Sequence, residues 1–267
     1  FAFTGMAINF ISWTGTFYQK EYLGLTLTFI VVTFLIFIFA SIIRAMSAQE
    51  KTTQVDFFLL GANAIFIGAS LYVFLVGDYK NILGFISVLV AIVYMFIAYL
   101  VNKSNPSEKE LNIFLPGLAV VFLSIAVPQQ FDGVWVAVGW LVESAILYFI
   151  ASIISNRGFQ VMGVIVYTLG GLDALAEVQD LFGVNTKFVP ILNGDFAVLL
   201  LTIVVAYFIS YMYKRYGSTT VEIQKRGIIV FVIVANIISI YALSSQIYKY
   251  YDYKIEEIRQ QRNIQVD

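Results

Sequence analysis

GVWVAVGWLVESAILYFIASII, Gly133 to Ile154, decides the fold. Apart from Glu143, Ser144 and Ser152, its side chains are apolar, aromatic or absent. A helix needs about 20 mostly apolar residues to cross a bilayer, and this stretch has them. It holds a carboxylate, Glu143, ten residues in. At 1.5 Å per residue that is roughly 15 Å deep, near the midplane of a ~30 Å hydrocarbon core.

Outward from this stretch the pattern repeats. The other apolar runs are Ala2–Tyr18, Leu23–Ile43, Val55–Val76, Ile82–Val101, Leu111–Val127, Phe159–Val178, Asp195–Tyr213 and Gly227–Ile247. Together they predict nine spans. The linkers are short and hold the turn formers Gly77-Asp78, Asn102 to Pro106, Asp132-Gly133, Asn156 to Gly158, Asn193-Gly194 and Gly217. Short linkers join antiparallel neighbours, so the fold class is all-α, a polytopic up-down transmembrane bundle over 1–247. The tail 248–267 has four basic and four acidic residues. It is an amphipathic helix, a linker to further spans, or disorder.

Composition agrees. The chain of 267 residues is 60% hydrophobic, 16% aromatic and only 12% charged, where a soluble domain is roughly a quarter charged. Its mean hydropathy is +0.85. With 16 basic and 17 acidic residues, nothing points to nucleic acid. The absence of cysteine excludes disulfides, thiolate nucleophiles and iron–sulfur ligation. The absence of histidine excludes Ser-His-Asp triads, His–metal sites and His proton shuttles. No phosphate loop, nucleotide fingerprint or protease motif is present, and nothing calls for a cofactor or a metal. The start FAFTG, without Met or a basic leader, reads as a piece of a longer protein.

Alternate linkers differ in Lys and Arg. Linkers 2–3, 4–5, 6–7 and 8–9 hold nine: Arg44, Lys51, Lys103, Lys109, Arg157, Lys214, Arg215, Lys225 and Arg226. The others hold three: Lys20, Lys80 and Lys187. Basic loops stay cytoplasmic, so the first set is expected to face the cytoplasm of a bacterial inner membrane.

Few polar side chains lie at membrane depth. A charged Glu143 there costs at least a few kcal/mol. It is either a proton or substrate site or a hydrogen-bonding link between helices. Trp140, three positions earlier, shares its face. Asp173, Glu177 and Asp180 fall at i, i+4 and i+7 on one face, at the expected outer end of helix 7. That face is expected to open outward, to collect cations or a basic substrate, to bind Ca²⁺ or Mg²⁺ through oxygen ligands, or as an ordinary solvated helix end. Asn63 and Asn236 lie inside their spans, where an amide hydrogen-bonds between helices or lines a substrate site.

AVPQQFDGVWVAVGWLVESAILYFIA resembles the central signature of a bacterial multi-pass family described as a predicted membrane protein, domain of unknown function 2339. The resemblance rests on Pro128, the hairpin Asp132-Gly133, Trp140 and Glu143. Weaker echoes are the Asn63 span GANAIFIGASLYVFL and the Leu192-Asn193 entry VPILNGDFAVLLL. At Gln129-Gln130 the chain departs from the family, which usually continues apolar. The resemblance implies a multi-pass membrane fold and carries no activity.

Three functions remain open at this point. The first is a transporter or flippase-like carrier with an acidic site at the midplane. The second is a non-catalytic scaffold or accessory subunit of an envelope complex. The third is an intramembrane enzyme built on carboxylates. Membrane lipids, and other membrane subunits for the scaffold, are the expected partners.

Overall fold

The computed structural model describes residues 1–47, 51–179, 189–191, 193–216 and 221–264. These are helical, with no strand among the described residues. The helices are α1 (Ala2–Phe17), α2 (Leu23–Ser47), α3 (Gln54–Leu75), α4 (Lys80–Ser104), α5 (Lys109–Gln130), α6 (Val134–Ile153), α7 (Arg157–Gln179), α8 (Gly194–Tyr216) and α9 (Val221–Ile264). A single 3-10 turn, Lys20–Tyr22, links α1 to α2.

Eight of the nine are long and apolar enough to cross a membrane. The exception is α1, whose 16 residues reach about 24 Å, short of a ~30 Å core. At the other end α9 runs 44 residues, about 66 Å, straight through the Ile247 boundary that hydropathy suggests. Along the charged continuation two pairs favour the helix. Lys254 meets Glu257 at 2.7 Å and Arg259 meets Glu256 at 3.6 Å, both three residues apart.

The helices gather into two compact units, Phe1–Gln130 and Phe131–Asp267. The first holds α1 to α5 around Ile38, Leu60, Leu83, Tyr94, Leu111 and Leu115. Within it α4 and α5 form the most intimate pair. Its α3 begins with a capping box: Thr53 Oγ1 accepts from the Asp56 N–H, and the Asp56 carboxylate accepts from the Thr53 N–H at 3.0 Å. At the opposite end of α3 the chain turns into α4, and Lys20 bridges to Asp78 there at 2.6 Å. Helix α1 meets its unit through rings rather than close backbone approach. Phe3 stands edge-on to Phe37 at 5.0 Å, and Phe10 stacks on Phe29 at 5.2 Å.

The second unit packs α6 to α9 around Ala137, Leu141, Ala174, Leu199, Ile209 and Ala235. Here α6 pairs with α7, and α8 lies against α6, α7 and α9. The start of α8 is fastened to α9 by polar groups. Asn193 caps α8, its Oδ1 accepting from the Phe196 N–H at 2.9 Å. Its amide donates to Gln246 Oε1 at 2.7 Å, and the same oxygen accepts from the Ile191 N–H at 3.1 Å. One turn on, Lys249 pairs with Asp195 at 3.0 Å.

Candidate functional site

Glu143 lies at the tenth of the 20 positions of α6, so the α6–α7 pair fixes its height in the unit. That pair is closed by two glycines of α7. A Cβ on Gly163 would meet the Tyr148 backbone nitrogen at 3.2 Å; one on Gly170 would meet the Leu141 nitrogen and the Trp140 Cβ, both at 3.1 Å. Only a missing side chain lets the two backbones come this close, as small residues do in membrane helix pairs. The contacts run antiparallel, Gly163 opposite Tyr148 and Gly170 opposite Leu141.

Further along the same seam α6 begins, at Gly133. This residue has φ +60° and ψ −145°, a conformation that side chains resist and glycine takes freely. Being glycine, it provides no side-chain cap for α6. The first turn therefore has N–H groups that need acceptors. Asp173 supplies one from α7, its carboxylate accepting from the Ala137 N–H. Glu177 reaches the same end, with Oε2 4.0 Å from where a Gly133 Cβ would stand. A carboxylate at a helix N-terminus also complements the helix dipole. Two of the three acids on the α7 face are thus turned toward the start of α6. Asp180 lies outside the described residues.

The other candidates sit as follows. Glu143 is half-buried, with Oε2 sealed from the surface. It is one position before Ser144, whose carbonyl faces Gly163, so it points about 100° round the helix from the seam. Trp140 is half-buried on the same flank, its Cβ beside Gly170. Tyr148 and Phe149 reach α8, meeting Tyr213 at 5.4 Å and Phe208 at 6.5 Å. The structure thus brings Glu143, Trp140 and the Asp173–Glu177 pair onto one helix pair, at different heights.

Asn63 belongs to the first unit. It is fully buried, and its amide donates to the Phe34 carbonyl of α2 at 3.0 Å, a link between helices. Asn236 is exposed on α9 and donates to the Val232 carbonyl of its own helix at 2.7 Å. Among the described residues no group of three or more Asp and Glu side chains is placed to hold a metal ion.

Sequence reading passed over Gln246 and Lys249. They stand three apart, on one helical face, at the junction between the last apolar run and the charged tail. Asn193 and Asp195, two apart at a helix start, were the complementary signal.

No curated protein and no solved structure matches the chain. A family model does, over residues 1–243, described as "Predicted membrane protein (DUF2339)". With eight apolar helices of spanning length and the Asp132-Gly133 hairpin, Trp140 and Glu143 all on α6 or at its start, the chain belongs to that family of membrane proteins.

Proposed function

We propose that this protein is a non-catalytic membrane scaffold, an accessory subunit of an envelope complex in a bacterial inner membrane, with its basic linkers on the cytoplasmic side. One observation carries the reading. Asp173, one of the candidates for an ion or substrate face, has its carboxylate turned to the Ala137 N–H at the first turn of α6, and Glu177 lies at the same end. Asn63 likewise holds α2 to α3. Polar groups used for cohesion fit a protein whose task is to hold its shape. The length of α9 supports the same reading. Beyond the start of α8 it displays Tyr248, Tyr251, Ile255 and Ile258, all at least half exposed, at the three- and four-residue spacing of one helical face. A partner subunit's helix is the natural complement to such a row.

A second reading has its own support. Glu143 sits at mid-helix and off the α6–α7 seam, where a carrier would place a proton or substrate group. Cysteine accessibility separates the two, because the native chain has no thiol. Glu143→Cys, in vesicles of both orientations, is treated with a membrane-impermeant maleimide. The scaffold reading expects no labelling from either side and a Glu143→Gln variant that folds and assembles normally. Labelling from one side or both refutes it and turns the assignment to a carrier.

A further inference from the structure

Helix α1 leans on α2 through rings, and the gap left between them forms two contiguous cavities. The first, about 560 Å³, runs between Met6, Asn9, Phe10 and Trp13 on α1 and Leu25, Thr26 and Phe29 on α2. The second, about 530 Å³, shares Trp13 and Leu25 with the first and continues to Thr16, Tyr18, Gln19 and Tyr22 at the turn between the helices. Both are in the size range of small-molecule sites, roughly 300–1,000 Å³. Polarity changes along the groove. The inner part is mostly rings and aliphatic chains, with Asn9 and Thr26 its polar side chains; the outer part has Phe17 beside a hydroxyl, a carboxamide and two phenols.

We propose that this groove seats one membrane phospholipid, with an acyl chain along Phe10, Phe29 and Met6, the ester near Trp13 and Asn9, and the head group at Gln19 and Tyr22. The polarity order is that of an amphiphile. Trp and Tyr mark the depth at which a bilayer turns from hydrocarbon to head group, and here they are Trp13, Tyr18 and Tyr22. Asn9 lies one turn, about 6 Å, below Trp13. Among the described residues its amide makes no hydrogen bond, although it lines the groove. In hydrocarbon such a donor needs an acceptor, and a lipid ester carbonyl is one. Lys20, next in sequence to Gln19 of the outer lining, is 79% exposed and bound to Asp78 through one of its three donors, which leaves two for a lipid phosphate.

The test is native mass spectrometry of the full chain in detergent, with 1-palmitoyl-2-oleoyl phosphatidylglycerol or the matching phosphatidylcholine added. The wild type is expected to retain one lipid, favouring phosphatidylglycerol. Leu25→Trp fills the groove from α2, at a residue 72% exposed and therefore tolerant of exchange, and is expected to lower retention about tenfold. Met6→Trp fills it from α1 with the same result. Lys20→Gln is expected to abolish the head-group preference and keep binding. Equal retention by the wild type and both filled variants overturns the proposal, as does a wild type that retains no lipid or a groove found occupied by a polypeptide helix.

Discussion

Gly170 and Gly171 are neighbours in α7, and the structure predicts opposite outcomes when each becomes alanine. Both substitutions remove a mid-helix glycine, which favours the helix by about 1 kcal/mol. That gain is common to the two and cancels in their difference. At Gly171 the nearest atom to a new Cβ is Thr202 Cγ2 at 3.6 Å, an ordinary contact. At Gly170 three atoms crowd the methyl at 3.1 Å: Leu141 Cγ, the Leu141 backbone nitrogen and Trp140 Cβ. Two of these are fixed to the α6 backbone and yield only if the helices separate. Such overpacking costs about 1–3 kcal/mol. Gly170→Ala is therefore expected to be less stable than Gly171→Ala by about that amount, with Gly171→Ala at or above wild type. The assay is reversible unfolding in mixed micelles, titrating dodecyl sulfate into a mild detergent and following helicity by circular dichroism. If Gly170→Ala is as stable as Gly171→Ala, then α6 and α7 do not approach as described, and the placement of Asp173 against Ala137 fails with them.

The same titration checks the other predictions. Asp173→Asn removes the charge at the first turn of α6 and is expected to cost about 0.3–1 kcal/mol, up to ~2 if the site is dry. Asn63→Leu is expected to cost about 0.6 kcal/mol and no more than ~1.7, the range for hydrogen bonds between membrane helices. A larger loss would mean that Asn63 does more than join α3 to α2. Asn193→Ala is expected to cost about 0.5–2 kcal/mol. Hydrogen exchange should place that loss in the first turn of α8; loss spread evenly over the unit would refute the capping role.

The spans were legible because hydropathy belongs to a window of the chain and needs no knowledge of neighbours. Each apolar run falls on a helix for this reason, overrunning it by at most one residue, as at Tyr18, Val76 and Ile154. The ends were less so. Hydropathy falls after Ile247, yet α9 continues, because a charged segment can stay helical, here with Lys254–Glu257 and Glu256–Arg259 pairs along it, while hydropathy reports only apolar content. Spacing put Asp173 and Glu177 on one face correctly but left open what that face meets. The answer depends on how α7 is rotated against α6, and this is set by Gly163 and Gly170, whose role appears only when Tyr148 and Leu141 stand opposite them. Asn236 shows the same limit: its position in the run says that it is deep, and only packing says that it is on the outside of α9.

The residues that carry the family resemblance divide along this line. Gly133 has a backbone reason for being glycine, its φ of +60° and the approach of Glu177. Pro128 stands two residues before α5 ends, so the break that its ring and missing N–H favour falls where the chain leaves the helix. Trp140 has its Cβ against Gly170, so its backbone position is set by the seam while its ring extends along the flank. Glu143 differs from all three. It stands at mid-helix and off the α6–α7 seam, with Oε2 sealed from the surface. Exchange of Gly133 or Gly170 therefore reads out folding. Exchange of Glu143, off the seam that Gly163 and Gly170 close, separates the scaffold reading from the carrier reading.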